Sequence, residues 1–183
     1  MQLPKNAKQV HNGILFNVYQ WEQEMFNGTT ETFERLTRVP SVEVIASIGE
    51  DILTIVQEQP AREGKYPSLP GGRIDPGEEP LAAAKRELLE ETNLQKYTLV
   101  TQLDEFDFYD KVRKINSHIK NYLVQVSSNS KVSLNNEHVL DGEVVEEHDS
   151  FKWFHPSEAL TTVTHSNQKE TLNKAITYLG LSE

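Results

Sequence analysis

The stretch from Arg86 to Asn93, RELLEETN, places three carboxylates, Glu87, Glu90 and Glu91, within five residues of one another. On a helix turning about 100° per residue, positions 87 and 91 lie one turn apart, and 87 and 90 are also neighbours. Like charges at that spacing cost a few tenths of a kcal/mol per pair unless something cationic sits among them. Carboxylate oxygens suit a hard divalent ion, so Mg²⁺, or Mn²⁺ in its place, is the economical partner. The competing explanation is a solvated acidic face with Lys85 and Arg86 beside it. Gly71 and Gly72 stand just ahead of this segment, in SLPGGRIDPGEE, where backbone must turn tightly or approach a ligand closely.

The whole chain limits what such a site can serve. Its 183 residues carry a formal net charge of −10, with 37% hydrophobic and 25% charged residues, the composition of a soluble globular protein. That charge repels phosphate backbones, and no basic stripe or aromatic RNA-binding signature is present, so nucleic acid is not the expected partner. A small phosphorylated ligand remains compatible if cations intervene. The chain has no cysteine, which removes disulfides, thiol nucleophiles, thiolate zinc sites and iron–sulfur clusters. No stretch reads as a membrane span or secretory segment, so a cytoplasmic protein with no membrane partner is expected.

Periodicity supplies the elements that must position the carboxylates. Residues 13–26 and 31–39 read as strands flanking Asn27-Gly28, a pair that suits a two-residue hairpin loop with positive φ angles. The β-branched runs 42–48 and 52–59 form a second hairpin around Gly49-Glu50-Asp51. A helix is expected over 79–92, with Pro80 in its first turn and Asn93 as a left-handed cap. Leu81, Leu88 and Leu89 would form its apolar side, with the glutamates nearly opposite. Strands at 98–109, 119–127 and 150–154 and helices at 156–160 and 166–180 complete an α+β fold. In it a mixed sheet lies between helices. A boundary near residue 40 divides a small N-terminal β-unit, 1–40, from a main domain, 41–183.

Counted from Gly72, the residues Glu78, Arg86, Glu87, Glu90 and Glu91 fall at the offsets of G-x5-E-x7-R-E-U-x-E-E-x-G-U, with Leu88 and Leu94 at the aliphatic positions U. The segment resembles the Nudix box. Six fixed residue types match, and the chance of that at a given start is on the order of 10⁻⁷. Asn93 departs from the box glycine, but asparagine is the next-best residue for a left-handed helix terminus. SLPGG before the box and FKWFHPSEAL at 151–160 extend the resemblance through the main domain.

The resemblance implies a Nudix-type fold and a metal-dependent hydrolase that cuts the pyrophosphate of a nucleoside diphosphate linked to a further group, X. Carried onto this chain, it makes Glu87, Glu90 and Glu91 metal ligands together with the backbone carbonyl of Gly71. It makes Glu78 and Arg86 a brace holding loop to helix around Gly72. A further carboxylate must take the proton of the attacking water. The loop DGEVVEEHD at 141–149 offers Glu143 and Glu146, with Glu147 beside them and His148 and His155 as other bases.

The N-terminal stretch is similar to the β-unit of ADP-ribose pyrophosphatase-like members. This implies a homodimer, ADP-ribose or a related nucleoside diphosphate sugar as substrate, and contacts from Trp21 and Arg62. Two features usual in that subfamily are missing, a basic residue near 57–60 and a Ser-Pro-Gly-like loop after the box. Tyr109 at the second place is closer to dinucleoside polyphosphate hydrolases. A catalytically silent nucleotide-binding module is the remaining alternative.

Overall fold

A computed structural model of the chain describes residues 3–13, 16–58, 64–110, 115–134, 137–140, 143–146 and 148–181. They form two compact units. One comprises Met1–Ser41 with Glu105–Ile119, and the other Val42–Asp104 with Lys120–Glu183.

The first unit is built on strands β1 (Lys8–Asn12), β2 (Phe16–Glu24) and β3 (Thr30–Arg38). β2 and β3 pair antiparallel from Phe16↔Arg38 to Glu24↔Thr30. The connecting loop is longer than the two residues expected. Met25 N–H donates to Thr29 O, and only Gly28 takes a positive φ, 82°, within this loop. Asn27 instead uses its side chain, whose Oδ1 accepts from Thr29 N–H and from its hydroxyl. A turn closed by asparagine and a left-handed glycine accounts for the difference. β3 pairs in parallel with β9 (Ile115–Val126) at Leu36↔Ile115 and Thr37↔Asn116.

The second unit carries the carboxylate helix. Its sheet runs β9–β4–β5–β12, where β4 is Ser41–Ile48, β5 Asp51–Gln57 and β12 His148–Phe154. Off this path β6 (Tyr66–Ser68) pairs with β5, β7 (Gly71–Arg73) with β4, and β8 (Tyr97–Asp110) with β9. Strand alternation divides the apolar residues between two faces. Val42, Val44, Ala46, Leu53, Tyr122, Val124 and Val126 pack against Ala83, Ala84 and Leu88 of α1 (Pro80–Thr92). Ile45, Ile52 and Leu123 pack on the other face against Ala159 of α2 (Pro156–Thr162) and Leu172, Ala175 and Ile176 of α3 (Ser166–Tyr178). The expected α+β arrangement, a mixed sheet between helices, is therefore the one observed. Strands covered on both faces read as near-continuous apolar runs, which is why VEVIASI and ILTIV are so β-branched.

Two sequence expectations change. The segment read as a loop near 141–149 contains β10 (Glu137–Leu140) and β11 (Glu143–Glu146), an antiparallel pair separate from the main sheet. The apolar side of α1 is also rotated. Leu89 is 43% exposed, while Ala83, Ala84, Leu88, Glu91 and Thr92 are buried. Alanines let the helix lie close to the sheet, and the β7 turn covers the arc that holds Glu87 and Glu91.

Pro80 opens α1 and Asn93 ends it in the left-handed region, φ 54°, with its N–H donating to Leu89 O at 2.8 Å. Replacing Asn93 with valine should cost about 1–2 kcal/mol by denaturant unfolding. Asn93→Gly should be neutral or stabilising by up to about 1 kcal/mol.

Candidate active site

The site grows from the junction of β7 with α1. Pro70 O accepts from Val44 N–H at 2.8 Å, which draws the glycine turn onto β4. A Cβ on Gly71, whose φ is 154°, would lie 2.3 Å from Val42 O, so only glycine allows this approach. A Cβ on Gly72 would lie 2.4 Å from the carboxyl carbon of Glu87. The Glu87 carboxylate therefore rests directly on the backbone of the turn.

Arg86 joins loop to helix. Its Nε donates to Glu78 Oε1 at 3.0 Å and its Nη2 to Glu78 Oε2 at 2.9 Å, the two-pronged geometry that guanidinium favours. Nη2 also donates to Arg73 O at 2.9 Å. Nη1 donates to Glu87 Oε1 at 2.8 Å and to Glu90 Oε2 at 3.0 Å. Glu78 Oε2 accepts in turn from Asp75 N–H at 3.1 Å. The hydrogen bond from Arg86, then that from the Asp75 backbone, holds the Glu78 carboxyl below its ordinary range. The same bond to Glu78 is the largest influence keeping Arg86 firmly protonated.

Glu87 is pushed the other way, to about 7. Burial is the main cause, with Glu91 and Glu90 adding repulsion and Arg86 opposing them. Glu91 is 8% exposed; its Oε2 accepts from Gly71 N–H at 2.9 Å. Its Oε1 lies 3.2 Å from Nε2 of His148, itself 1% exposed.

These donors are hard, anionic and close together, which suits Mg²⁺ or Mn²⁺, and the raised Glu87 carboxyl marks a place where positive charge is wanted. Among the described residues, no three carboxylates or imidazoles are gathered as a ready-made metal cage. Arg86 Nη1 holds Glu87 and Glu90, so a cation taken up here would share or replace that contact.

Other residues singled out in the sequence fall elsewhere. Glu143 and Glu146 lie at the two ends of β11, paired with Leu140 and Glu137. Glu147 and Arg62 lie outside the described residues. Trp21 belongs to the first unit, stacked on Phe33 at 5.9 Å with the Arg35 guanidinium 5.7 Å from its ring centroid. His155 is exposed, its Nδ1 3.1 Å from Ser157 Oγ. The residue that sequence reading undervalued is His148. Nothing local distinguishes it from His155, because its burial beside Glu91 comes from tertiary packing.

Comparison with known proteins gives three results. A family model described as NUDIX domain matches residues 37–175. An RNA pyrophosphohydrolase of Bartonella bacilliformis is 39% identical over 61 residues, 33% of this chain and 36% of the relative. Another, from Bartonella quintana, is 47% identical over 47 residues, covering 26% of this chain and 27% of that one. The chain thus spans only about a third of the length of the curated relatives it matches. Among solved structures, a C. elegans Ap4A hydrolase in a binary complex aligns with TM-score 0.63 and 20% identity, covering 79% of this chain and 99% of the other. An ADP compounds hydrolase aligns with TM-score 0.62 and 20% identity, covering 96% and 92%. At that identity the two structures show a shared fold.

The brace and the raised carboxyl each give an expected outcome. Arg86→Ala should lower both the melting temperature and the activity, since Glu78, Glu87 and Glu90 lose their common donor. An unchanged melting curve would refute the brace. Glu87 ionises near 7 when folded and near 4.5 when unfolded, so between those values the folded chain holds the extra proton. Its contribution to stability is therefore greatest below about pH 4.5 and declines as pH rises to about 7. Denaturant unfolding at several pH values should show this decline in the wild type and not in Glu87→Gln.

Proposed function

The chain belongs to the Nudix family, and from that premise we propose that it is a Mg²⁺-dependent pyrophosphohydrolase. Its substrate would be a nucleoside diphosphate linked to X, most simply ADP-ribose or a related nucleoside diphosphate sugar. The products would be a nucleoside monophosphate and phosphorylated X. The observation that carries this reading is the α1 carboxylate cluster: Glu91 is tied to the glycine turn, while Arg86 braces Glu78, Glu87 and Glu90.

Pyrophosphate and this acidic face repel one another unless cations stand between them. In this reading Glu87, Glu90 and Glu91 hold Mg²⁺ or Mn²⁺, and the Gly71 carbonyl adds a neutral oxygen. The bound ion supplies neutralisation of phosphate oxygens and a more acidic attacking water. The chain's own part is positional. Arg86 and Glu78 fix the turn against the helix, Gly72 leaves space for the Glu87 carboxylate, and burial keeps Glu91 in place. Glu143 or Glu146 on β11 takes the proton of the attacking water.

The substrate assignment draws on the resemblance of the N-terminal strands and on the ADP compounds hydrolase, whose alignment reaches 96% of the chain. Residues 41–183 form the catalytic domain in this reading and 1–40 the accessory β-unit, through which a homodimer would form. Trp21 and Arg62 are assigned to substrate contacts. No described helix is long and apolar enough to cross a membrane, and we assign the protein to the cytoplasm. Tyr109, 51% exposed, supports a second reading in which a dinucleoside polyphosphate stacks on its ring. The names of the Bartonella relatives suggest 5′-phosphorylated RNA, which the net charge of −10 disfavours.

Product analysis with Mg²⁺ tests the choice, using ADP-ribose, sugar nucleotides, NADH, diadenosine polyphosphates and a 5′-triphosphorylated oligonucleotide. AMP and ribose 5-phosphate from ADP-ribose are expected, with loss of activity in EDTA and recovery on adding Mg²⁺. Preferential cleavage of another compound would overturn the substrate but leave the chemistry. Binding without turnover of any of them would favour a silent nucleotide-binding module. Glu91→Gln should lower turnover by at least about 10²-fold with the helix intact.

A further inference from the structure

We propose that His148 is a positioning residue that orients the Glu91 carboxylate for cation binding, an inference that rests on the pyrophosphohydrolase reading. His148 is the first residue of β12, opposite Gln57 of β5. The pairing register shifts between His148 and Ser150. Such an irregularity re-aims a side chain relative to the strand that follows, and here the ring is 1% exposed and meets a buried carboxylate.

The geometry of Glu91 differs from that of its two neighbours. Glu87 and Glu90 share one nitrogen of Arg86, a side chain on their own helix, and both can move with it. Glu91 is addressed from two different strands, through Oε2 by the N–H of Gly71 on β7 and through Oε1 by the imidazole on β12. An ionised carboxylate offers only lone pairs, so the proton between Oε1 and Nε2 belongs to the ring. Two anchors on opposite oxygens define the carboxylate plane. Each oxygen still keeps a second lone pair for a ligand. Glu91 is thereby the pre-oriented ligand of the cluster, and Glu87 and Glu90 are the ones that adjust. Groups that orient a metal ligand in this way commonly affect affinity by about 10–100-fold.

The test uses the full chain and three substitutions. His148→Gln places an amide nitrogen at the reach of Nε2. His148→Asn places it nearer the position of Nδ1, too short for Glu91, and His148→Leu removes the polar group. Mn²⁺ affinity of the substrate-free protein is measured by electron paramagnetic resonance, alongside kcat, KM and the Mg²⁺ concentration for half-activation. The H148N and H148L proteins should bind Mn²⁺ at least about 10-fold more weakly and need correspondingly more Mg²⁺. At saturating Mg²⁺ their substrate KM should match the wild type. H148Q should recover Mn²⁺ affinity to within about threefold of wild type, a rescue that loss of packing would not produce.

Wild-type Mn²⁺ affinity in H148N would overturn the proposal, and so would equal impairment of H148N and H148Q. H148N and H148Q both keep a polar side chain, so their comparison stands even if H148L does not fold. If the wild type neither binds Mn²⁺ nor cleaves any compound of the panel, the underlying reading fails and this inference falls with it. An active wild type with an unaffected H148N sinks this inference alone.

Discussion

Mutual repulsion among the carboxylates of α1 and its preceding loop is the constraint around which the site is arranged, and the Arg86 guanidinium is the group that relieves it. One planar cation reaches Glu78 through two nitrogens, Glu87 and Glu90 through a third, and the Arg73 carbonyl besides. A lysine ammonium has neither the fork nor the span for that set of acceptors. The turn from Gly71 to Glu78 is folded by the same contacts, because Glu78 returns one oxygen to Asp75 N–H. Loop conformation, helix position and carboxylate spacing are thus consequences of a single side chain.

That arrangement also explains why charge tolerates such a position. α1 turns its alanines and Leu88 toward the sheet, and the arc beside them carries Glu87 and Glu91 under the glycine turn. An ionised group there loses hydration, which is visible in the raised Glu87 carboxyl. Packing of the apolar residues on both sheet faces has to compensate for it. Functional sites commonly conflict with local stability in this way.

Much of this was legible in the chain because it depends on short spacing. The offsets from Gly72 to Glu91 specify one turn and one helix, and the brace between Glu78 and Arg86 lies within that span. Pro80 and Asn93 mark the helix ends by their own backbone preferences, and both do so in the structure. The β-branched runs around Gly49 likewise announced β4 and β5. What escaped reading depended on the rest of the fold. Leu89 has the chemistry of a core residue, but the two alanines set which side of α1 meets the sheet. Asn27-Gly28 marked the turn correctly, while its length depended on how Met25 and Thr29 bond across it. β10 and β11 are short and rich in charge, so their strand character is weak in sequence. His148 acquires its meaning only when β12 lies beside β5 and brings the ring to Glu91.

The first compact unit is assembled from two separated stretches, Met1–Ser41 and Glu105–Ile119, joined where Leu36 and Thr37 of β3 meet Ile115 and Asn116 of β9. During synthesis the amino-terminal strands therefore emerge well before their parallel partner exists. β1, β2 and β3 can form their local hairpins early, but the open edge of β3 must wait for the glycine turn and the whole of α1 to be translated. The order of events on the ribosome thus places the acidic helix before completion of the unit that begins the chain.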